Sequence, residues 1–281
     1  MADFTAADVA ALRKATGAGM MDCKRALEES EGDVDAAKDW LRTKGLAGAS
    51  KRAGRAAEQG AVGVLVRDNV GAVVELNCET DFVAKGSDFA AALGALTELV
   101  VERGADDLAH VSYDGTTVDD AVAQLGAKVG EKVELGRVVR FETQDGLVDG
   151  YRHVQSERGT IGVLVELAGV DPGDAKAHEV AHDIALHVAS AAPRWVSRDD
   201  VPADVVEKER EVLEELTRNE GKPENAIPKI VEGRLNGFYK DNVLLEQGFV
   251  REPKTAVSQL LQDLGSGAGV RRFARVKIGE E

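Results

Sequence analysis

The tetrapeptide Val-Val-Glu-Leu at residues 73–76 returns as Leu-Val-Glu-Leu at residues 164–167, and this repetition decides the fold class. An extended stretch rich in β-forming residues precedes each copy, at residues 61–66 and 147–154. A short apolar run with β-branched residues is typical of a buried strand. Each tetrapeptide is therefore predicted to lie in the second strand of a repeated unit.

A helical pattern follows each pair of strands, and further matches continue the repeat. In the first copy Phe89, Leu93, Leu96 and Val100 recur at helical spacing, and Ser87 is expected to cap this helix. The later matches are AVAQL (121–125) with AVSQL (256–260) and GRVVRF (136–141) with GVRRF (269–273). Each copy thus has the order ββααβ. The predicted fold class is α+β, with two small antiparallel sheets that each pack helices on one side.

Residues 1–45 are predicted to form a three-helix module, and residues 46–58 a basic, partly helical linker. Thr5 is a good N-cap for the first helix. Asp33 is expected to cap the third helix and Gly45 to end it. Three helices in about 40 residues lie close to the lower size limit for independent folding.

The two repeated units are assigned to residues 59–145 and to residues 146–193 together with 251–281. Residues 194–250 interrupt the second unit. This insert carries two narrow apolar stripes around a Gly-Lys-Pro turn: Val205, Val212 and Leu216, then Ile227, Val231, Leu235 and Phe238. The pattern predicts an antiparallel helical hairpin, a short coiled coil that projects from the body. Core helices are the alternative, but the stripes are thin for deep burial.

The composition limits the classes of function. The chain has 281 residues, a formal charge of −15 and two cysteines. An acidic chain is a poor candidate for nucleic-acid binding, which depends on basic side chains that neutralise phosphates. The charge could steer the protein toward a basic partner or merely solvate its surface. With no disulfide framework, signal peptide or long apolar span, the expected location is the cytoplasm.

Residues 178–182 read His-Glu-Val-Ala-His and match the H-E-x-x-H zinc motif. Three observations weaken the hypothesis of a zinc hydrolase that uses His178, Glu179 and His182. The longer form of the motif requires Gly and His where this chain has Ala185 and Val188, and His187 is turned away from the shared helix face. The equivalent helix of the first unit contains no histidine. No metal, cofactor or catalytic residue is therefore expected.

The two units differ most in the segment that follows the tetrapeptide. The second unit continues as a loop of turn residues at 168–174, whereas the first continues as Thr80-Asp81-Phe82-Val83. Thr80 can cap a short helical turn and thereby fix the direction of Asp81 and Phe82. Phe82 is either an ordinary core residue or an exposed contact residue, and these four positions leave both interpretations open.

Two long segments resemble the elongation factor Ts family, the exchange factors of the GTPase elongation factor Tu. They are LRKATGAGMMDCKRAL at residues 12–27 and ELNCETDFVAK at residues 75–85. Weaker similarities are IALHVA at residues 184–189 and IVEGR at residues 230–234. The four segments span nearly the whole chain and occur in the order typical of the family.

The resemblance implies a translation factor that binds elongation factor Tu with GDP or without nucleotide, displaces Mg²⁺ and promotes GDP release. It also implies that the three-helix module is of the ubiquitin-associated (UBA-like) type. The contact residues implied are Thr80, Asp81, Phe82 and Val83 at the corner, with Arg13, Met20, Met21 and His153 as further contacts. The segment 154–160 looks longer than the usual turn of the family, which leaves the contacts near His153 open.

A third hypothesis is an adaptor whose three-helix module binds a peptide or a ubiquitin-like partner. Such a protein would capture a partner other than elongation factor Tu. The acidic charge and the lack of a long apolar span favour no direct binding to nucleic acid or membrane. A homodimer within a 2:2 complex stays open.

Overall fold

The computed structural model describes residues 4–280, and its mixture of helices and strands confirms the α+β class. The first helices are α1 (Ala6–Thr16), α2 (Met20–Glu29) and α3 (Val34–Arg52). Thr5 caps α1 as predicted, because its hydroxyl accepts from the N–H of Asp8 while the Asp8 carboxylate accepts from the N–H of Thr5. The three helices bury a small apolar core that includes Val9, Leu12, Cys23, Ala26, Leu27 and Ala37.

After α3 the chain forms the first three-stranded sheet, together with the helices and short strands that accompany it. In chain order the elements are β1 (Gln59–Arg67), β2 (Val70–Cys78), α4 (Asp81–Ala84), α5 (Ser87–Arg103), the two-residue strands β3 (Ser112–Tyr113) and β4 (Thr116–Thr117), α6 (Val118–Val129) and β5 (Val133–Glu142). The antiparallel order is β1-β2-β5, so residues 73–76 lie in the central strand. The predicted stripe of α5 is buried in the core beneath this sheet.

The second three-stranded sheet has the same arrangement. The part of the chain that forms this sheet and its neighbouring elements contains, in chain order, β6 (Leu147–Gln155), β7 (Arg158–Ala168), α7 (Ala175–Ala191), α8 (Ala203–Asn219), α9 (Ile227–Asn242), β8 (Gly248–Phe249), β9 (Glu252–Ala256), α10 (Val257–Gln262) and β10 (Gly269–Lys277). The order is β10-β7-β6, which again places the repeated tetrapeptide in the central strand. None of the helices within residues 4–280 combines the length and apolar character needed to cross a bilayer.

The two sheets pack against each other, with helices on their outer faces. The shared core between them consists of Val62, Val73, Phe141, Val148, Leu164 and Val276, which come from both sheets. Separate cores lie between the first sheet and α5–α6 and between the second sheet and α7 with α10. The strands are therefore buried on both faces, which explains why the tetrapeptides are continuous apolar runs broken only by glutamate.

The predicted end of α3 at Gly45 is wrong, because the helix continues to Arg52. Gly45 serves a packing role instead. A β-carbon there would lie 3.2 Å from the β-carbon of Ala127 in α6, which is closer than most such contacts. The glycine thus lets α3 approach α6, and the first part of the expected linker is helical.

Helices α8 and α9 form the antiparallel hairpin of the insert. Arg234 of α9 donates to the Thr217 hydroxyl at 3.2 Å and pairs with Glu220 at 2.7 Å. Val212 and Leu216 of the α8 stripe are about half exposed, as a stripe too thin for deep burial would be, while Thr217 is fully buried. The α8 side of the hairpin is therefore held partly by polar contacts rather than by an apolar seam.

Strands β6 and β7 join through a two-residue turn, so the expectation of a long loop at residues 154–160 is wrong. Ser156 and Glu157 form this turn with φ values of 51° and 68°, as the tight hairpin turns that match strand twist require. A shift in register between His153 and Val154 interrupts the regular pairing just before the turn.

Candidate functional site

The segment Thr80–Val83, named the corner below, lies where β2 turns into the one-turn helix α4. Thr80 has extended backbone angles, and its hydroxyl accepts from the N–H of Val83 at 3.4 Å. This is the predicted N-cap, in which a side-chain oxygen satisfies a donor that lacks an intrahelical partner. After Lys85 the chain enters α5, where Gly86 rather than the expected Ser87 occupies the N-cap position.

Phe82 projects from the corner with 83% of its surface exposed, so the interpretation as a core residue is wrong. Val83 packs against the first core and Ala84 is buried in it. Successive residues of a helix are rotated by about 100°, so a turn that buries Val83 and Ala84 directs Phe82 outward. An exposed phenylalanine on a capped, anchored turn is well suited to enter a pocket on another protein.

Asp81 lies beside Phe82 and is paired with a lysine one turn later. Its carboxylate accepts from Lys85 Nζ at 2.6 Å. This hydrogen bond holds the pKa of Asp81 below its ordinary value, and the charges of Lys85 and Arg158 act in the same direction. The corner therefore presents a charged carboxylate next to an apolar ring at neutral pH.

Glutamates hold the corner from the side of the sheet, and sequence reasoning missed both. Glu131 accepts from the Thr80 hydroxyl and backbone N–H at 2.6 and 3.0 Å. Glu79 accepts from the N–H of Lys132 at 2.6 Å and from Arg55 at 3.2 Å. Glu131 lies 51 residues from Thr80, so no local pattern could have indicated the contact.

Met20 and Met21 begin α2 and are 45% and 67% exposed, as a contact surface requires. Gly19, which precedes them, lines a cleft of about 460 Å³ together with Lys128 of α6. Lys128 pairs with Asp88 at the start of α5 at 2.8 Å. The structure therefore places the turn before the methionines on the side of the molecule where α5 begins, a few residues after the corner.

The other two predicted contact residues are also exposed, on different elements. Arg13 lies near the end of α1, and His153 lies on β6, where its Nδ1 is 3.2 Å from the Tyr151 hydroxyl. The end of the β6–β7 hairpin approaches the corner through Arg158, which donates to the carbonyl of Gly60 and acts on the pKa of Asp81. His153 thus belongs to a hairpin whose tip lies near the corner.

The H-E-x-x-H segment is part of α7, and its histidines have other partners. His178 Nε2 lies 2.9 Å from the carbonyl of Pro172, and His182 Nδ1 lies 3.7 Å from Asp149. Within residues 4–280, no group of three or more histidine, cysteine or carboxylate side chains is arranged to hold a metal ion. The side chains of His178, Glu179 and His182 are all exposed on the surface of α7.

His187 of α7 is fully buried against the segment that follows α9. Its Nδ1 accepts from the N–H of Val250 at 3.3 Å, so Nε2 carries the proton and donates to Gln247 Oε1 at 2.9 Å. Burial lowers the pKa of His187 below its ordinary value of 6.5, although the bond to Gln247 acts in the opposite direction. The site is built for the neutral imidazole.

The stability of the protein should fall as the pH drops below about 6.5 because of His187. In that range the unfolded chain binds a proton at this residue and the folded chain does not, which costs up to about 1.4 kcal/mol per pH unit. Urea unfolding of the wild type and of His187→Asn between pH 5.5 and 7.5 measures the effect. The variant should lose most of this slope, and an unchanged slope would contradict the assignment.

Comparisons with known proteins agree on one family. The family model described as "Elongation factor TS" matches residues 79–280. Similar curated proteins named "Elongation factor Ts" occur in Micrococcus luteus, Streptomyces avermitilis and Mycobacterium avium, with 47%, 49% and 48% identity. These alignments cover 99–100% of this chain and 100% of each relative. The match includes the corner and the elements that hold it.

Proposed function

The chain belongs to the elongation factor Ts family, and on this premise we propose that it is a guanine nucleotide exchange factor for elongation factor Tu. It binds the GTPase with GDP, displaces Mg²⁺ and lets GTP rebind after GDP has left. The observation that carries this proposal is the exposed Phe82 on the anchored corner, with the charged Asp81 beside it.

Physical reasoning explains how such a corner can act without a catalytic residue. A GTPase holds its nucleotide through Mg²⁺ and through a loop that surrounds the phosphates. An apolar ring inserted beside this site separates the elements that carry the magnesium ligands, which weakens phosphate binding. Thr80 and Val83 keep the ring in place, and Asp81 supplies a polar contact next to it.

Phe82 cannot supply the whole effect. An acceleration of GDP release by about 10⁴ requires the activation free energy to fall by roughly 5.5 kcal/mol. Burial of one phenylalanine side chain contributes only roughly 1.5–3 kcal/mol of free energy. The remainder has to come from broader docking. Met20 and Met21 suit an adaptable apolar contact, and Arg13 and His153 are the further contact residues in this proposal.

The finer architecture is part of the same proposal. Residues 1–45 act as a UBA-like docking module, and residues 46–58 connect it to the body. The repeated subdomains are residues 59–145 and residues 146–193 with 251–281, and the coiled-coil insert is residues 194–250. The protein acts in the cytoplasm, and a homodimer within a 2:2 complex stays a prediction.

Linkage explains why such a factor can act repeatedly. If the factor weakens nucleotide binding, nucleotide weakens factor binding by the same ratio. Incoming GTP therefore expels the factor, which is free to bind the next GDP complex.

A nucleotide-release assay tests the function directly. Elongation factor Tu is loaded with a fluorescent GDP analogue and mixed with excess GTP and a substoichiometric amount of this protein. We expect release of all the bound analogue, faster by orders of magnitude than from elongation factor Tu alone. Release at the intrinsic rate would contradict the exchange function. A second GTPase loaded in the same way serves as the control and should be unaffected.

A further inference from the structure

We propose that Glu131 is the positioning residue of the exchange site, because its carboxylate holds the corner in the orientation that presents Phe82. The inference rests on the exchange function proposed above. Glu131 does not belong to the corner and is only partly accessible, so it acts through Thr80 rather than by contact with a partner.

The geometry is a reciprocal clamp across the end of the first sheet. Cys78 and Val133 form the last pair of the β2–β5 ladder. Just beyond this pair, the carboxylate of Glu131 accepts from the backbone N–H of Thr80, and the carboxylate of Glu79 accepts from the backbone N–H of Lys132. The two side chains therefore continue the pairing of the strands where the backbone ladder has ended.

Glu131 also fixes the cap itself. The Thr80 hydroxyl donates to Glu131 Oε1 at 2.6 Å, which leaves its lone pairs to accept from the N–H of Val83. A helix of four residues has no intrinsic stability in water, because nucleation of a single turn is unfavourable. Hydrogen bonds to an ionised carboxylate are stronger than neutral ones. The orientation of α4 thus depends on a bond partner supplied by a distant part of the chain.

The surroundings of Thr80 support a tightly held arrangement. The Cys78 thiol donates to the carbonyl of Thr80 at 3.1 Å, so the backbone of Thr80 is fixed on both sides. Burial raises the pKa of the Cys78 thiol to about 11, and the negative charge of Glu131 adds to the increase. The thiol therefore stays protonated and remains a donor.

The backbone of Glu131 is itself well supported. Helix α6 ends at Val129 with Gly130 as its C-cap, and a β-carbon at Gly126 would lie 2.9 Å from the carbonyl oxygen of Glu131. The chain then enters β5 at Val133, which pairs with β2. Glu131 is thus held between a helix end and a strand start, as a residue that positions another segment must be.

Loss of the Glu131 carboxylate should let the corner change its orientation, although the Phe82 side chain is still present. The fraction of molecules that present Phe82 correctly then falls, and the rate of stimulated release falls with it. For Glu131→Ala we expect a decrease of about tenfold in the rate of GDP release from the complex. The affinity of the variant for elongation factor Tu with GDP, which also depends on the other contact residues, should change less than the rate of GDP release. Glu131→Gln retains one acceptor and should lie between the wild type and Glu131→Ala.

A double-mutant cycle with Phe82→Ala tests the proposal in the release assay with fluorescent GDP. If Glu131 acts through Phe82, adding Glu131→Ala to Phe82→Ala should cause little further loss. Equal fold-losses in the presence and absence of Phe82 would overturn the proposal. Glu102→Ala is the matched control, because Glu102 lies exposed on α5 and pairs with Arg67 at 3.6 Å, away from the corner. It should retain wild-type stimulation.

Each failure has a different signature. If Phe82→Ala loses stimulation while Glu131→Ala and Glu131→Gln keep it, the positioning role fails and the exchange function stands. If the wild type itself gives no stimulation, the proposed function fails. Urea unfolding checks that each variant is folded under the assay conditions, and hydrogen exchange at the N–H of Val83 should accelerate in Glu131→Ala but not in Phe82→Ala or Glu102→Ala. An unchanged exchange rate at the N–H of Val83 in Glu131→Ala would contradict the proposal that Glu131 holds the corner.

Discussion

Phe82→Ala should slow stimulated GDP release by between about tenfold and about a hundredfold while leaving the fold intact. Removal of the ring forfeits the roughly 1.5–3 kcal/mol that its burial in a partner supplies, and each 1.4 kcal/mol corresponds to a factor of ten in rate. The free energy of unfolding should change by less than about 0.5 kcal/mol, because the side chain is 83% exposed in the free protein. Stopped-flow release of fluorescent GDP from elongation factor Tu measures the first quantity and urea unfolding the second.

Phe89→Ala is the informative contrast, since Phe89 lies only seven residues away and is fully buried in the first core. This variant should lose about 3–5 kcal/mol of stability. The two phenylalanines thus separate contact with a partner from packing. Full stimulation by Phe82→Ala would rule out the wedge mechanism, and the docking surface would then have to act through Met20, Met21 and the other contact residues.

Glu166→Ala should lower the free energy of unfolding by about 2–4 kcal/mol, because it removes a buried, hydrogen-bonded carboxylate. Glu166 is the glutamate of the second tetrapeptide and is 1% exposed. Its two oxygens accept from Arg271 and Arg272, each at 2.6 Å, across an irregularity in the β7–β10 pairing. The expected loss is lower than for a fully buried ion pair, because both arginines are almost half exposed and regain water.

The pH dependence provides a second check on Glu166. Burial alone would raise the pKa of this carboxyl, but the hydrogen bonds from Arg272, Arg271 and Thr143 hold it below the ordinary value of 4.5. The stabilisation is therefore present above pH 4.5 and is lost as the pH falls through the folded-state pKa.

Urea unfolding at pH 7 and at pH 3.5 measures the difference between the wild type and Glu166→Ala. The difference should shrink at the lower pH. Glu98→Ala is the control, because Glu98 lies exposed on α5 and should change stability by less than about 0.5 kcal/mol. A destabilisation of the same small size in Glu166→Ala would show that water replaces the two bonds at little cost.

Local patterns in the sequence determined the class of fold and the N-cap at which the corner begins. The tetrapeptides at 73–76 and 164–167 predicted the second strand of each unit, and the stripe of α5 predicted its buried face. Thr80 predicted its own cap, because an N-cap involves residues only two or three positions apart. Each of these inferences uses the period of a strand, the period of a helix or a short-range hydrogen bond.

Contacts between distant segments decided the rest, since sequence spacing carries no information about which segments meet. Whether Phe82 is buried depends on which face of α4 packs against the first core, and the sequence alone left both answers open. Gly45 looked like a helix end because nothing local reveals that α6 passes close to it. Glu131 belongs to no local sequence motif and becomes the partner of Thr80 only when β5 pairs with β2. The repeat and the cap are local properties of the chain, whereas the orientation of the corner is a property of its tertiary structure.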